Sequence, residues 1–207
     1  MASPETTEWR FPNRATPLGS PTYYAVRFSP PAQRQRDALL IAWDHLIQDI
    51  AARPIDPGVA RTKLDWWRAE VANLTTGRAR HPLAIALQEQ GLAAPATAAM
   101  ITIIDAAEDA IRVPSPADGS AFAAGCRQGR GSFFELLAQL DDADNDVTGA
   151  CREAGGYCAA VERVQRLAER AAPYRPRWFE EPVMPDWIDQ YAELRRTVTA
   201  TAIAGGE

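Results

Sequence analysis

The stretch that decides the fold runs from Asp56 to Pro82 and reads DPGVARTKLDWWRAEVANLTTGRARHP. Pro57 can stand at a helix start, because proline is tolerated in a first helical turn. Apolar residues then recur at helical spacing and mark one stripe, which comprises Val59, Leu64, Trp67 and Val71. Gly77 is a residue type that commonly follows a helix end. The stretch therefore predicts an amphipathic helix and a turn, after which His81-Pro82 starts another helix.

The same helical pattern extends outward on both sides of this stretch. On the N-terminal side, a helix opened by Pro30-Pro31 carries apolar residues at i, i+4, i+7 and i+11, namely Leu39, Trp43, Leu46 and Ile50. On the C-terminal side, prolines and glycines separate helices that we predict at about 82–91, 95–110, 118–140, 146–172 and 185–201. Residues 1–20 are expected to be an irregular lead-in. With no convincing strand pattern and no internal repeat, the sequence predicts one all-α, single-domain helical bundle over residues 21–207.

Composition limits the possible classes of function. The chain has 207 residues, a formal net charge of −5 and 46% apolar residues, which is enough for a real core. No run approaches the roughly 18 consecutive apolar residues of a membrane span. Residues 1–10 resemble neither a secretory signal nor a transit peptide, so we expect a cytoplasmic protein, with peripheral membrane association left open. Without a stripe of lysine and arginine, nucleic acid is not an expected partner.

Residues 20–87 resemble the N-terminal third of squalene and phytoene synthases. The resemblance is carried by a series of motifs, which are Tyr23-Tyr24-Ala25, Pro30, Gln33-Arg34, Asp56 to Arg61, Lys63-Leu64-x-Trp66-Trp67-Arg68-x-Glu70 and Gly77-Arg78-x-Arg80-His81-Pro82. Weaker matches follow at Cys126 to Leu137 and at Gly155 to Pro182. Together the matches cover most of the chain, which is similar to a degenerate and shortened member of this family.

The resemblance implies a helical bundle of the isoprenoid synthase type with a central cavity. The family condenses two prenyl diphosphates head to head, and aspartates on two of its helices hold Mg²⁺ across the cavity. Carboxylates cannot bind a polyanionic leaving group directly, whereas Mg²⁺ accepts both carboxylate and phosphate oxygens. We expect the C-terminal helices of the family to be missing here, which would leave apolar surface to be filled or covered by a protein partner.

The two aspartate motifs of the family are altered in this chain. The first aligns with residues 48–52, QDIAA, and keeps only Asp49. The second aligns with Glu162, Arg166 and Arg170, so that two metal-binding acids have become arginines. Two cations facing one cavity would repel Mg²⁺ rather than bind it.

Seven residues are therefore candidates for lining a remnant ligand-binding cavity. They are Tyr24, His45, Gln48, Asp49, Arg127, Glu162 and Arg166. His45 stands where the family has an arginine that helps to hold diphosphate. No catalytic residue and no metal ligand is predicted among these seven.

The sequence predicts a non-catalytic family member with a binding or assembly role, a prenyl or lipid ligand and no cofactor. One branch of the family that has lost the same acids assists assembly of respiratory complex I in mitochondria, and the segment from Arg166 to Phe179 is more similar to that branch than to the enzymes. The alternative is an active transferase that holds Mg²⁺ with substitute acids, namely Asp49, Asp105, Glu108 and Asp109. A third hypothesis is a subunit whose companion chain supplies the missing helices and acids.

Other candidate sites have simpler explanations. The acids at 142, 144 and 146 imitate a calcium loop, but Val147 stands where such a loop needs glycine, so a solvated loop with a helix cap at Asp146 or Thr148 is favoured. The three cysteines contain no CxxC pair and are predicted to be buried thiols. We expect His81 to lie at the surface or cap a helix, and Trp66-Trp67 to pack in the core.

Overall fold

The computed structural model describes residues 8–52, 56–113 and 116–171, together with residue 196 and the strand residues 178–180 and 202–204. The chain divides into two compact units, residues 1–114 and residues 115–207. Helices dominate the described part of both units, and the fold is all-α, as the sequence predicted.

In its described residues, the first unit contains five helices. They are α1 (Pro21–Phe28), α2 (Arg34–Ala52), α3 (Pro57–Leu74), α4 (Pro82–Gln88) and α5 (Ala94–Arg112). Helix α2 packs against each of the other four, and α3 also packs against α4 and α5. The centre of this unit is fully buried and apolar, with side chains such as Trp43, Leu64, Leu83, Met100 and Ile103.

Side-chain caps explain where several of these helices begin. The Ser20 side chain accepts a hydrogen bond from the N–H of Tyr23 at the start of α1. Asp56 accepts from the N–H groups of Gly58 and Val59 at the start of α3. Because such caps satisfy N–H groups that have no partner within the helix, they fix the first turn. The sequence predicted that the prolines at 30 and 31 open α2. They lie instead in the turn that precedes this helix, which begins at Arg34.

Residues 8–20 form turns that are held against α2. Asn13 is buried, and its side-chain amide donates to the carbonyl oxygen of Ala38 at 3.2 Å. Gln35 donates to the carbonyl oxygen of Trp9 at 3.2 Å. The lead-in predicted from the proline content is therefore irregular in its secondary structure but packed against a core helix.

The second unit is built around one long helix. Its described elements are α6 (Gly119–Cys126), a π-helical turn (Arg127–Gly131), α7 (Ser132–Leu140), α8 (Asn145–Ala171), β1 (Trp178–Glu180) and β2 (Ala202–Ala204). Helix α8 packs against α6, the π-turn and α7. Strands β1 and β2 pair in parallel, with Trp178 opposite Ala202. The sequence predicted no strand, because three residues are too few to show a period of two.

The π-turn corrects the prediction of one continuous helix over residues 118–140. It lies where α8 presents Gly155 and Gly156. A Cβ at Gly155 would lie 2.6 Å from the carbonyl oxygen of Arg130, and a Cβ at Gly131 would lie 2.7 Å from that of Arg152. The two backbones therefore approach as closely as glycine allows. Of the last predicted helix, 185–201, only residue 196 lies among the described residues, and it is helical.

Candidate functional site

Helix α2 carries three of the four first-unit candidates, namely His45, Gln48 and Asp49. Gln48 donates from its side-chain amide to Oδ1 of Asp44 at 3.3 Å, and Asp44 is completely buried. Asp49 is exposed, and His45 is half-buried. Gln48, the first position of the aligned motif, is thus an amide joined to the carboxylate one turn before it, and the position one turn after it is Ala52. Tyr24 lies on α1 instead, where its side chain is half-exposed.

The second unit brings together two of its three candidates on α8. Glu162 accepts a hydrogen bond from Nη2 of Arg130 at 3.1 Å, and Nη1 of Arg166 lies 3.8 Å from its other oxygen. The largely buried Arg130 comes from the π-turn, so this cluster joins α8 to a second element. Glu162 is therefore shared between two guanidinium groups. We refer to Arg130, Glu162 and Arg166 as the arginine–glutamate cluster.

Arg127, the third candidate in the second unit, has a different partner. Its Nε donates to both carboxylate oxygens of Glu153, at 2.9 and 2.7 Å. This ion pair also joins the π-turn to α8, and Glu153 lies nearer to the start of α8 than Glu162 does. The family-aligned face of α8 consequently presents ion pairs between helices rather than a row of carboxylates.

These residues do not fit the Mg²⁺ that the family uses. Mg²⁺ needs several oxygen ligands in a near-octahedral arrangement. Within residues 8–52, 56–113 and 116–171, no group of three or more His, Cys, Asp or Glu side chains is placed to hold a metal ion. We therefore derive no step through a metal.

The substitute acids on α5 are engaged with arginines. Arg68 donates to Oδ1 of Asp105 at 2.8 and 2.9 Å and also contacts Glu108. The Arg68 hydrogen bond, opposed by burial and aided by Arg112, lowers the pKa of Glu108. The sequence predicted that these acids lie on an exposed face. That is correct for Asp105 and Asp109, whereas the Glu108 side chain is only 13% exposed because it lies between two arginines.

The motif from Trp66 to Pro82 has a structural role that the sequence did not reveal. Glu70 is buried, and its Oε2 accepts the backbone N–H groups of Arg80 and His81 at 2.8 and 2.9 Å. The carboxylate thereby holds the turn that leads into α4. A buried glutamate ten residues before a Pro-containing turn is the signal that could have indicated this role.

His81 caps α4, which confirms one of the two predicted roles for this residue. Its Nδ1 accepts the N–H of Leu83 at 3.1 Å, and its ring lies 4.9 Å from that of Trp67 and 5.8 Å from that of Trp66. Burial, together with the charge of Arg14, lowers the pKa of His81. Core packing is confirmed for Trp67, whereas Trp66 is 45% exposed because the adjacent helix position points outward.

The remaining candidates are placed as follows. Asp144, rather than Asp146 or Thr148, caps α8 by accepting the N–H of Val147 at 2.9 Å. Cys126 is buried, and burial raises the pKa of its thiol. The other two cysteines are only partly buried, because the described neighbours of α8 cover that face incompletely. Trp43 is a residue that the sequence did not single out: its indole N–H is buried and has no hydrogen-bond partner among the described residues.

No helix in the described part of the chain combines the length and the apolar character needed to cross a membrane.

Comparison with known proteins supports the family resemblance. A model of the enolase C-terminal domain-like family matches residues 153–207, about a quarter of the chain. No curated protein and no solved structure matches the chain. The model of the squalene/phytoene synthase family matches residues 18–177, which is well over half of the chain and includes all eight helices named above but neither strand. The chain therefore belongs to the squalene/phytoene synthase family.

Proposed function

We propose that the chain is a non-catalytic member of the squalene/phytoene synthase family that binds a prenyl or lipid chain, or a protein partner, in place of converting prenyl diphosphates. The observation that carries the proposal is the arginine–glutamate cluster. A carboxylate shared between two guanidinium groups is neutralised at short range, and both cations would oppose the approach of Mg²⁺. The Asp44–Gln48 pair on α2 supports the same conclusion, because an amide cannot supply a negative charge.

A binding role is chemically reasonable for such a chain. A helical family domain retains apolar interior surface whether or not its acids remain, and apolar pockets with few polar groups suit lipid chains. The buried indole N–H of Trp43 is a donor that a bound oxygen could satisfy. A cytoplasmic location and a place in isoprenoid metabolism remain predictions of the sequence.

The proposal is tested by incubating the purified protein with farnesyl or geranylgeranyl diphosphate and Mg²⁺ and extracting the products. We expect no condensed prenyl product above a reaction without protein, while an active family enzyme assayed in parallel forms it. Turnover by the wild-type chain that is lost in the Asp49→Ala variant would contradict the proposal and favour an active transferase.

Two further measurements identify what is bound. Mass spectrometry of lipids that co-purify with the chain should detect a prenyl or acyl lipid at a stoichiometric level. Sizing and affinity capture from the native host should detect a companion chain if a protein is the ligand instead. A monomer that carries neither lipid nor partner would contradict the binding role.

A further inference from the structure

Charge is distributed unevenly along this acidic chain. Residues 9–36 contain five arginines and neither aspartate nor glutamate, although the whole chain has a formal net charge of −5. Three of these arginines are exposed, namely Arg10, Arg14 and Arg27. Arg14 lies over the ring of Trp9 at 4.5 Å, so its charge is held at the surface by an aromatic contact. Residues 9–36 therefore carry an excess of positive charge at exposed positions, between Glu8 and Asp37.

Four aromatic rings form a continuous strip within the same stretch of chain. Phe11 stacks on Tyr23 at 5.4 Å between ring centroids, Tyr23 meets the edge of Tyr24 at 5.3 Å, and Tyr24 stacks on Phe28 at 6.3 Å. We call Phe11, Tyr23, Tyr24 and Phe28 the aromatic strip. Its outer end is open to solvent, since Tyr24 is 50% exposed and Phe28 is 81% exposed. Leu18, just before α1, is 75% exposed.

Helix α1, which carries most of the aromatic strip, is packed against the rest of the first unit. Val26, on the opposite face of α1, is 1% exposed and anchors the helix in the unit. The hydroxyl of Thr22 donates to the carbonyl oxygen of Ala15 at 2.8 Å, which fixes α1 to the preceding turns. The exposed rings are therefore presented by packed backbone, and their exposure is not the result of a frayed end.

We propose that the aromatic strip and its flanking arginines dock the chain on an anionic lipid bilayer. Aromatic rings favour the headgroup region of a membrane, and exposed apolar side chains can insert below it. Arginines beside them attract anionic headgroups. A second copy of the chain fits this surface less well, because a symmetric contact would place the same arginines of both copies next to one another, where they repel. This inference is independent of the proposed function and concerns residues 9–36 alone.

The test is sedimentation of the full chain with vesicles of neutral phosphatidylcholine, with or without about 30% phosphatidylserine. We expect binding to the anionic vesicles and little binding to the neutral ones. Raising the ionic strength to about 0.5 M should release most of the bound protein, because exposed charges are then screened.

Two variants and two matched controls assign the binding to this surface. Phe28→Ser should weaken partitioning to anionic vesicles about tenfold, through loss of apolar burial. Arg27→Gln should weaken it about fivefold, as expected for one charge near an anionic surface. Val59→Ser and Arg61→Gln make the same kinds of change at exposed positions of α3 and should bind as the wild type does. All four side chains are exposed, so we expect each variant to keep the wild-type helical circular dichroism.

Three results would overturn the inference. The first is wild-type protein that stays in the supernatant with both kinds of vesicle. The second is Phe28→Ser or Arg27→Gln protein that binds no more weakly than the Val59→Ser and Arg61→Gln controls. The third is a concentration-dependent dimer that Phe28→Ser dissociates, in the absence of vesicle binding, which would assign the aromatic strip to self-association.

Discussion

At the scale of single residues, Glu70 shows how one buried charge can define a turn. Its carboxylate accepts two backbone N–H groups of the segment before α4, and both would otherwise lack an acceptor. Buried donors that lose a charged acceptor are costly, since their desolvation is no longer compensated. The family motif around Trp66-Trp67 therefore has an architectural role in the first unit.

We predict that Glu70→Ala lowers the free energy of unfolding by about 2 kcal/mol, because two partly buried backbone N–H groups lose their charged acceptor. Urea denaturation followed by circular dichroism measures this change. Glu89→Ala, at an exposed position on the C-terminal side of α4, is the matched control and should change the stability by less than about 0.5 kcal/mol. Equal stabilities of the two variants would show that Glu70 does not hold the turn.

His81 makes stability depend on pH. Burial and the charge of Arg14 lower its pKa below the usual value of about 6.5, and these effects exceed the opposing charges of Glu70 and Glu8. The unfolded chain therefore binds the proton first as the pH falls. The neutral His81 ring makes its full contribution to the stability of the folded state above about pH 6.5, and this contribution is lost progressively as the pH falls below that value.

We predict that the wild type loses more stability than His81→Asn between about pH 8 and about pH 5, because asparagine can cap a helix without titrating. Thermal or urea unfolding of both proteins at each pH measures the difference. If the stabilities of the two proteins change with pH in parallel over this range, His81 is not the source of the pH dependence.

Residue roles could be predicted from sequence only where the partners are local. The Asp56-Pro57 and His81-Pro82 pairs are adjacent to the helices they start, so their roles are visible in the sequence. The link between Glu162 and Arg166 follows from i, i+4 spacing. Arg130, which completes that cluster, lies 32 residues away along the chain, and its contact with Glu162 depends on how the π-turn packs on α8.

At the scale of elements, the contact between α8 and the π-turn is the closest approach described in the second unit. Gly155 has Arg130 and Gly131 backbone atoms at 2.6 and 3.0 Å from the position of a Cβ. A methyl group there must displace backbone, which is harder than moving the end of a flexible side chain.

We predict that Gly155→Ala destabilises the protein by about 2 kcal/mol or more, because the added Cβ overpacks this contact. Gly149→Ala is the matched control on the same helix, where a Cβ meets nothing within 4 Å, and it should stabilise the protein by about 0.5–1 kcal/mol. Denaturant titration of both variants gives the two values. A stabilised Gly155→Ala variant would show that the backbones are not in contact.

Elements were predictable where prolines, caps and apolar spacing agree. The start of α3 at Pro57 and of α4 at Pro82 and the end of α8 at Ala171 lie within a residue or two of the predicted bounds. The π-turn was missed because no proline interrupts residues 118–140, and the close backbone contact of this turn with α8 is not visible in local spacing. Strands β1 and β2 were missed because each has three residues.

At the scale of the whole molecule, the division into two units raises the question of whether the first unit folds without the second. The first unit contains its own buried core, and the hydrogen bonds that hold its lead-in lie within it. Units with a core of their own can fold alone.

We predict that a fragment of residues 1–114 folds in isolation, because its helices bury their apolar faces against one another. It should show helical circular dichroism and cooperative urea unfolding. A fragment without a cooperative transition would show that the core of the first unit needs the second.

The fold class and the family could be predicted from the sequence because helical spacing and the motifs of residues 20–87 are long-range regularities of the chain. The contacts made at the positions aligned with the family's metal ligands could not be predicted, because the sequence shows which acids are absent but not what the residues there contact. Gln48 donates a hydrogen bond to Asp44, and Arg166 forms an ion pair with Glu162. Only the packed structure shows that the replacements have acquired partners of their own.

The shared carboxylate of Glu162 limits how easily a metal site could be built at this position. Converting Arg166 to aspartate would restore one acid, yet Arg130 would still hold the oxygen of Glu162 at 3.1 Å and compete with any incoming ion. Replacing Arg130 as well would leave neighbouring anions to repel each other until a metal arrived. On the proposed non-catalytic function, we therefore expect that neither substitution alone creates a metal site, and that a synthase could be engineered from this chain only by changing several of these positions together.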